Sequence, residues 1–242
     1  MKITSVNNQL VKDTVKLHQK KYRDELGLFL IEGFHLYEEA LKMDVIKTIF
    51  TTDDIIQGHN VIHVSQSVLE KLAKTNNPQK IICVCEKFKR ENVYDRVLIL
   101  EGIQDPGNLG SILRSASASG VDLVYLSDHC ADLWSPKVLR GGQGAHFYLP
   151  CVENAVFSDI TKAFKGKIFA TELTGKSVFK ENLKGPVAFI FGNEGNGLQS
   201  ETIGLASDSI HIPMEKGIES LNVSAAVSIC LYEKYRQENS NV

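Results

Sequence analysis

Apolar residues recur along this chain in two alternating spacings. Short, nearly continuous apolar runs begin at Phe29, Val45, Ile81 and Val97, and each has the length of a strand. Between such runs, apolar residues recur every third or fourth position, as in residues 35–43, which indicates amphipathic helices. Strands that alternate with helices predict an α/β protein in which helices cover both faces of a parallel sheet.

The pattern places individual elements and divides the chain in two. Helices are predicted at residues 8–23, 35–43, 67–75, 108–120 and 221–236. Strands are predicted at residues 29–33, 45–52, 81–88, 97–103, 122–127, 167–173, 187–194 and 208–214. The polar stretch at 87–96 lacks apolar periodicity and predicts a boundary between an N-terminal domain, 1–90, and a C-terminal domain, 91–242.

Charge is locally concentrated although the whole chain is nearly balanced. The formal net charge is -2, so any binding of a polyanion must come from a local patch. One such patch lies near the N-terminus, where basic residues surround Tyr22: Lys12, Lys16, His18, Lys20, Lys21 and Arg23. Charge alone favours a solvated helix face. The mixture of aromatic and basic side chains leaves RNA contact as the second interpretation.

Cysteine content and apolar run lengths exclude several classes of protein. The five cysteines are scattered and odd in number, which argues against a disulfide framework and favours free buried thiols. Cys83 and Cys85 lie within an apolar strand, without a second ligand pair at metal spacing, so no metal site is expected. No apolar run approaches the roughly 20 residues that span a bilayer, and the N-terminus lacks a signal-peptide stretch. We expect a cytoplasmic protein without a membrane partner.

Three polar, glycine-bearing loops follow predicted strands, where ligands of open α/β sheets bind. Residues 101–114 include Asn108 at a helix start and Arg114 off the apolar stripe; residues 191–199 place three glycines around Glu194. Residues 212–226 carry polar side chains at the start of the last helix. Taken singly, these features fit a surface arginine, an acidic turn and helix caps. None is a Walker A loop or a G-x-G-x-x-G fingerprint, so a phosphate cradle is not indicated.

In their order, the three loops resemble the motifs of the SPOUT superfamily, in its SpoU (TrmH) branch of RNA ribose 2′-O-methyltransferases. The first motif, N-x-G-x-x-x-R, matches Asn108, Gly110 and Arg114, and the second, G-x-E-x-x-G, matches Gly192, Glu194 and Gly197. The third matches Ile212, Pro213, Ser220, Leu221, Asn222, Val223 and Ala226. The resemblance covers roughly residues 97–236. The first half resembles, more weakly, the family's small α/β substrate-binding domain, which is related to ribosomal proteins.

The resemblance implies a fold, a cofactor and a set of site residues. It implies a C-terminal parallel-sheet domain with a deep trefoil knot, a homodimer and S-adenosylmethionine as cofactor. The implied catalytic residues are Arg114, Asn108, Glu194, Ser220 and Asn222. The implied cofactor contacts are Thr171, Gly192, Ile212 and Leu221. The candidate RNA contacts are Lys16, Lys20, Lys21, Arg23 and Arg140.

The chemistry implied is a displacement in which a ribose hydroxyl attacks the cofactor's methyl group. Arg114 acts there either as a base or as a cation that orients phosphate and hydroxyl; its permanent charge favours orientation. Glu194 is the expected ion-pair partner of Arg114. Gly142 and Gln143 stand where the family usually has small or hydroxyl residues, which puts local RNA contacts in doubt.

Several alternatives stay open at the level of sequence. The two-domain layout favours ribosomal RNA over transfer RNA as the substrate, by analogy. Rival functions are a non-catalytic RNA-binding protein, a base methyltransferase on the same fold and a nucleotide-dependent α/β enzyme.

Overall fold

The computed structural model describes residues 2–75, 77–88 and 94–239, which pack as two compact units. The first unit combines the described residues up to 88 with Trp134–Phe147. The second combines residues 94–133 with the described residues from Tyr148 to 239. The predicted division at residue 90 stays a prediction, and packing adds the segment 134–147 to the N-terminal unit.

Helices and strands alternate through both units. The helices are α1 (Gln9–Lys16), α2 (Lys20–Leu26), α3 (Phe34–Lys42), α4 (Gln66–Ala73), α5 (Pro106–Ala118), α6 (Pro136–Gly142), α7 (Phe157–Ala163), α8 (Ser200–Ile203) and α9 (Val223–Glu238). The strands are β1 (Lys2–Ile3), β2 (Leu28–Glu32), β3 (Ile46–Thr51), β4 (Val61–Val64), β5 (Ile81–Glu86), β6 (Arg96–Leu100), β7 (Leu123–Leu126), β8 (Cys151–Val152), β9 (Lys167–Ser177), β10 (Val187–Phe191) and β11 (Asp208–His211). Single 3-10 turns occupy Ala145–Phe147 and Val178–Lys180.

The second unit is built on a six-stranded sheet in which every pairing is parallel. Its strand order is β11-β9-β10-β6-β7-β8. All five residues of β10 are buried, because helices cover both faces of such a sheet and leave no polar face. The predicted parallel sheet is confirmed. The carboxyl ends of β6, β10 and β11 lie at one edge of the sheet, so the three motif loops start from the same edge.

One irregularity in this sheet shapes the same edge. The register of β11 against β9 jumps from Ala170 to Lys176 between Ser209 and Ile210, so residues 171–175 bulge out of the ladder. Gly175 closes the bulge with a φ of 128°, and a Cβ there would lie 2.7 Å from the Ser209 carbonyl oxygen. Only glycine fits this close approach of two backbones.

The first unit contains a mixed five-stranded sheet of order β1-β4-β3-β5-β2. β5 pairs antiparallel with β2 and β3, whereas β4 pairs parallel with β1 and β3. Apolar residues of α1 and α4 pack with the sheet in one core. This small α/β unit fits the fold class that the sequence predicts.

The single helix predicted at residues 8–23 is wrong, because the chain forms α1 and α2 with a break between them. Gln19 adopts an extended conformation, with φ of -102° and ψ of 133°. One long-range and one local hydrogen bond hold the break. The His18 ring contacts the Leu72 carbonyl at 2.6 Å, and Arg23 donates to the Leu17 carbonyl at 2.6 Å. Tertiary contacts therefore override a continuous helical pattern.

The segment 134–147 packs within the first unit through aromatic and polar contacts. The Trp134 ring lies 4.6 Å from the Phe29 ring, centroid to centroid. The His35 ring contacts the Gln143 carbonyl at 3.2 Å. Gln143 adopts a left-handed φ of 47° and ends α6, which gives the departure from the family pattern a structural role.

The cysteines of both units are free thiols. All five cysteines are free, and burial raises the pKa of Cys83 and Cys230 to about 12, so neither is a thiolate near neutral pH. Among the described residues, no helix is long and apolar enough to cross a membrane. Within the same part of the chain, no group of three metal-ligating side chains occurs.

Candidate functional site

Two helix N-termini meet at the edge where the motif loops begin. Asp105 caps α5, because its carboxylate accepts the Asn108 N–H at 2.7 Å. Asn222 caps α9 by accepting the Ser224 N–H at 3.0 Å. Further along, the Ser228 hydroxyl donates to the Ser115 hydroxyl at 2.8 Å. The two helices therefore lie side by side with their N-termini at the same end.

A chain of hydrogen bonds joins all three motif loops at this point. The Asn108 side-chain amide donates to Glu194 Oε1 at 2.6 Å. The Asn222 amide donates to Asn108 Oδ1 at 2.9 Å. Asn222 thus caps a helix and bridges two motifs at once. The Glu194 carboxylate is held beside the N-terminus of α5, where the helix dipole stabilises negative charge.

The loop after β10 folds back on itself so tightly that glycine is required. Asn193 and Gly197 exchange backbone hydrogen bonds of 3.2 and 2.9 Å. A Cβ on Gly192 would lie 2.3 Å from the carbonyl carbon of Gly197, and Gly197 has a φ of 67°. This backbone cradle leaves the peptide groups after β10 exposed along a cleft, which suits a ligand held by backbone contacts.

Side chains that the sequence reasoning missed hold the two ends of this loop. The Asn193 amide donates to the Gly102 carbonyl at 2.8 Å. Glu101, directly after β6, accepts the Gln199 N–H at 2.9 Å and also bonds the Thr202 hydroxyl. A carboxylate immediately after a buried strand was the available signal. It marks the edge of the sheet where ligands bind.

A cleft of about 580 Å³ opens along the loops, within the size range of small-molecule sites. All four predicted cofactor residues line it: Thr171, Gly192, Ile212 and Leu221. Glu194 and Ser220 line it as well. Thr171 follows Ala170 at the start of the bulge, and its hydroxyl donates to the Ile190 carbonyl at 2.8 Å. Its side chain is therefore committed to the sheet, which leaves its backbone for the ligand.

The charge of the cleft distinguishes between classes of ligand. Glu172, Glu194 and Glu219 line it, together with His211, and no lysine or arginine stands among its described lining residues. A phosphate-bearing nucleotide would meet repulsion here. S-adenosylmethionine, with its sulfonium cation and its aromatic, hydrogen-bonding adenine, fits the mixture of carboxylates, apolar side chains and backbone groups.

Arg114 lies on α5, but the predicted ion pair with Glu194 is wrong. Arg114 is exposed and makes no ion pair within the described part of the chain, while Glu194 bonds Asn108 instead. Arg114 lies six positions after Asn108, which places it about 9 Å further along the helix and on another face. Among the described residues, Ser220 also lies outside the hydrogen-bond chain of Glu194.

The predicted RNA contacts fall into three environments in the first unit. Lys16 forms an exposed ion pair with Asp13 at 2.8 Å, which raises the Lys16 pKa. Lys16 and Lys21 both lie near the Tyr22 ring, with their ammonium groups 5.8 and 5.9 Å from its centroid. Lys20 is exposed at the start of α2.

The two arginines predicted for RNA contact differ sharply in exposure. Arg23 is buried, with 3 % of its surface exposed, and supports the break between α1 and α2. It therefore lies away from the exposed basic face. Arg140 is exposed and bonds Glu32 at 3.0 Å.

Comparison with protein families matches two parts of the chain. Residues 95–232 match the SpoU rRNA Methylase family, and residues 8–83 match the MRM3-like substrate binding domain. The first match covers more than half of the chain.

Comparison with individual proteins extends the similarity to almost the whole chain. The 23S rRNA (guanosine(2553)-2'-O)-methyltransferase RlmP of Bacillus subtilis is 37% identical over 95% of this chain and 97% of its own length. The crystal structure of AdoMet-bound rRNA methyltransferase from Sinorhizobium meliloti has a TM-score of 0.88 at 30% identity, covering 98% of this chain and 97% of that one. The crystal structure of an RNA 2'-O ribose methyltransferase has a TM-score of 0.83 at 30% identity, covering 98% and 99%.

Proposed function

Because the chain belongs to the SpoU family of rRNA methylases, we propose that it methylates a ribose 2′-hydroxyl of ribosomal RNA, using S-adenosylmethionine. The observation that carries the proposal is the hydrogen-bond chain Glu194–Asn108–Asn222, which joins the three family motifs beside the cleft. Relatives named for ribosomal RNA that cover nearly the whole chain favour this substrate over transfer RNA.

The reaction makes two demands on the protein. When bound, S-adenosylmethionine supplies a methyl group made electrophilic by a sulfonium. The attacking 2′-hydroxyl must be placed in line with it and must lose a proton. The protein therefore needs a rigid cofactor cradle and a group that positions the RNA.

Arg114 is assigned the positioning of RNA. Its guanidinium is exposed and unpaired within the described residues, so its fork is available for a substrate phosphate near the hydroxyl. It stays protonated, which makes it an orienting cation rather than a base. Glu194, Asn108 and Asn222 hold the ends of α5 and α9 together, while Ser220 contributes to the cleft wall.

The cofactor is assigned to the cleft beside these residues. Backbone groups at Thr171, Gly192, Ile212 and Leu221 form its main contacts. The backbone cradle at Gly192 and the absence of lysine and arginine among the described lining residues support this assignment.

The first unit is assigned a role in RNA binding. Lys16, Lys20 and Lys21 supply exposed cations on α1 and α2, and Arg140 supplies another on α6. The match to a substrate-binding domain supports this role. Arg23 is left out, because it is buried.

Three further properties belong to the same proposal. The catalytic unit forms a homodimer, its C-terminal segment threads a trefoil knot, and the protein acts in the cytoplasm. Family membership supports the first two, and the bacterial relative with a ribosomal RNA substrate supports the third.

Methyl transfer to ribosomal RNA tests the proposal. Purified protein is incubated with labelled S-adenosylmethionine and unmodified ribosomal RNA, and the modified nucleotide is located by mass spectrometry. We expect one site whose 3′ linkage resists alkaline hydrolysis, because a 2′-O-methyl group blocks attack by the ribose oxygen. Label on a base would establish the base methyltransferase. Cofactor binding without transfer to any RNA would favour the non-catalytic alternative.

A further inference from the structure

We propose that the carboxylates of the cofactor cleft make the protein discriminate by charge between S-adenosylmethionine and its product S-adenosylhomocysteine. The inference rests on the proposed function, since it concerns the same cleft. It adds a property that the reaction needs, namely release of the product in favour of fresh cofactor.

The cleft contains uncompensated negative charge. Glu172, Glu194 and Glu219 line it, and none of the three forms an ion pair in the part of the chain that the structure describes. Their hydrogen bonds come from neutral groups, the Ser209 hydroxyl for Glu172 and the Asn108 amide for Glu194. Lys176 lies close in sequence to Glu172 but pairs with Asp208, which does not line the cleft.

Methyl transfer changes the charge of the ligand by one. The ribose oxygen forms a bond to the methyl carbon, and the carbon–sulfur bond breaks with its electron pair moving to sulfur. The hydroxyl proton passes to solvent, and the sulfonium becomes a neutral thioether. Carboxylates in the cleft therefore attract the substrate form more strongly than the product form, while contacts to the adenosine are the same for both.

Glu172 and Glu219 carry this effect apart from the catalytic assignment of Glu194. Glu172 is partly buried, so solvent screens its charge less. Glu219 is exposed and has no hydrogen-bond or ion-pair partner among the described residues. No neighbouring group in that part of the chain neutralises its carboxylate, which borders both the cleft and the solvent. Glutamine at either position keeps size and hydrogen-bonding capacity and removes only the charge.

Calorimetric titration with three ligands tests the proposal without any turnover. The ligands are S-adenosylmethionine, S-adenosylhomocysteine and sinefungin, an analogue in which an amine-bearing carbon replaces the sulfonium. In low salt, the wild-type protein should prefer the two cationic ligands by about three- to tenfold over S-adenosylhomocysteine. The variant E172Q/E219Q should lose that preference while its affinity for S-adenosylhomocysteine changes less than about twofold.

A matched control and two opposite outcomes complete the experiment. Glu201→Gln removes a carboxylate of α8 outside the cleft lining and should leave all three affinities unchanged. An unaltered preference in E172Q/E219Q, or an equal fall in all three affinities, contradicts the charge effect and leaves the proposed cofactor in place. Failure of the wild-type protein to bind any of the three ligands overturns the proposed cofactor as well.

Discussion

The two units handle charge in opposite ways. In the first unit, lysines of α1 and α2 lie on the surface around Tyr22. In the second unit, carboxylates line the cleft, and no lysine or arginine stands among the described residues of the cleft lining. The first arrangement suits a polyanion and the second suits a cationic cofactor. The net charge of -2 hides both. Arg114 is one exception, because it is an exposed cation on the unit that carries the acidic cleft.

Arg114→Ala gives the largest expected effect and tests that exception. We expect methyl transfer to fall about a thousandfold, because a positioned cation near the reacting groups contributes most to the transition state. S-adenosylmethionine affinity should stay within about twofold, since Arg114 does not line the cleft. Single-turnover methylation and calorimetry measure the two quantities.

Arg236→Ala serves as its control, because Arg236 is an exposed arginine paired with Glu233 near the C-terminus. Transfer by that variant should equal wild type. Normal transfer by Arg114→Ala would remove Arg114 from the mechanism.

Gly192→Ala is expected to be next in size and acts on the cradle. The added Cβ would lie 2.3 Å from the Gly197 carbonyl carbon, so the loop must open. We expect cofactor affinity to fall about a hundredfold, because the backbone contacts depend on loop geometry. Gly195→Ala is the matched control in the same loop, where the nearest atom would be Asn193 Oδ1 at 3.3 Å. Similar affinities for both variants would contradict the cradle.

Lys20→Ala/Lys21→Ala tests the basic side of the comparison. RNA affinity should fall about tenfold, and the slope of log affinity against log salt should become shallower by about two. Cofactor affinity measured without RNA should not change. An unchanged salt slope would exclude both lysines from phosphate contact.

Arg23→Ala is the contrasting variant, because this arginine is buried and holds the α1–α2 break. It should lower the free energy of unfolding by about 2 kcal/mol, measured by chemical denaturation, through loss of a buried charged hydrogen bond. The slope of log RNA affinity against log salt should be the same for Arg23→Ala and the wild-type protein.

His18→Gln has the smallest expected effect. Burial lowers the pKa of His18 below 6.5, so the unfolded state binds more protons as the solution is acidified. The folded state should therefore lose stability as pH falls below about 6.5, and the variant should lose this dependence. Denaturation at pH 7 and pH 5.5 measures it. His59→Gln, at an exposed position, should keep the wild-type dependence.

The second unit was more predictable from sequence than the first. Apolar runs such as residues 97–100 and 187–191 are buried on both faces, so composition alone marks them as parallel strands. The short strands β1 and β4 were missed, because two to four residues show too little alternation. The break after α1 depends on the Leu72 carbonyl, 54 residues from His18, and no local pattern contains that information.

The candidate site shows the same division. Its loops and cleft residues followed from motif order, whereas the partner of Glu194 did not. Opposite charge selects Arg114 as the partner of Glu194. Helix α5 instead places Asn108 beside Glu194, although these two residues lie 86 positions apart in the sequence. Glu101 and Asn193 were missed because their roles depend on backbone groups that meet only after the sheet has formed.

The packing of Trp134–Phe147 within the first unit has a consequence for synthesis on the ribosome. The N-terminal part of this unit is made first, yet its last packed segment ends 58 residues beyond residue 89. At roughly 5–20 residues per second, this means a wait of about 3–12 s. During that time Phe29 lacks the Trp134 ring that covers it. The nascent chain therefore leaves the apolar surface around Phe29 partly uncovered for that time, and the first unit is completed only after translation of the second has begun.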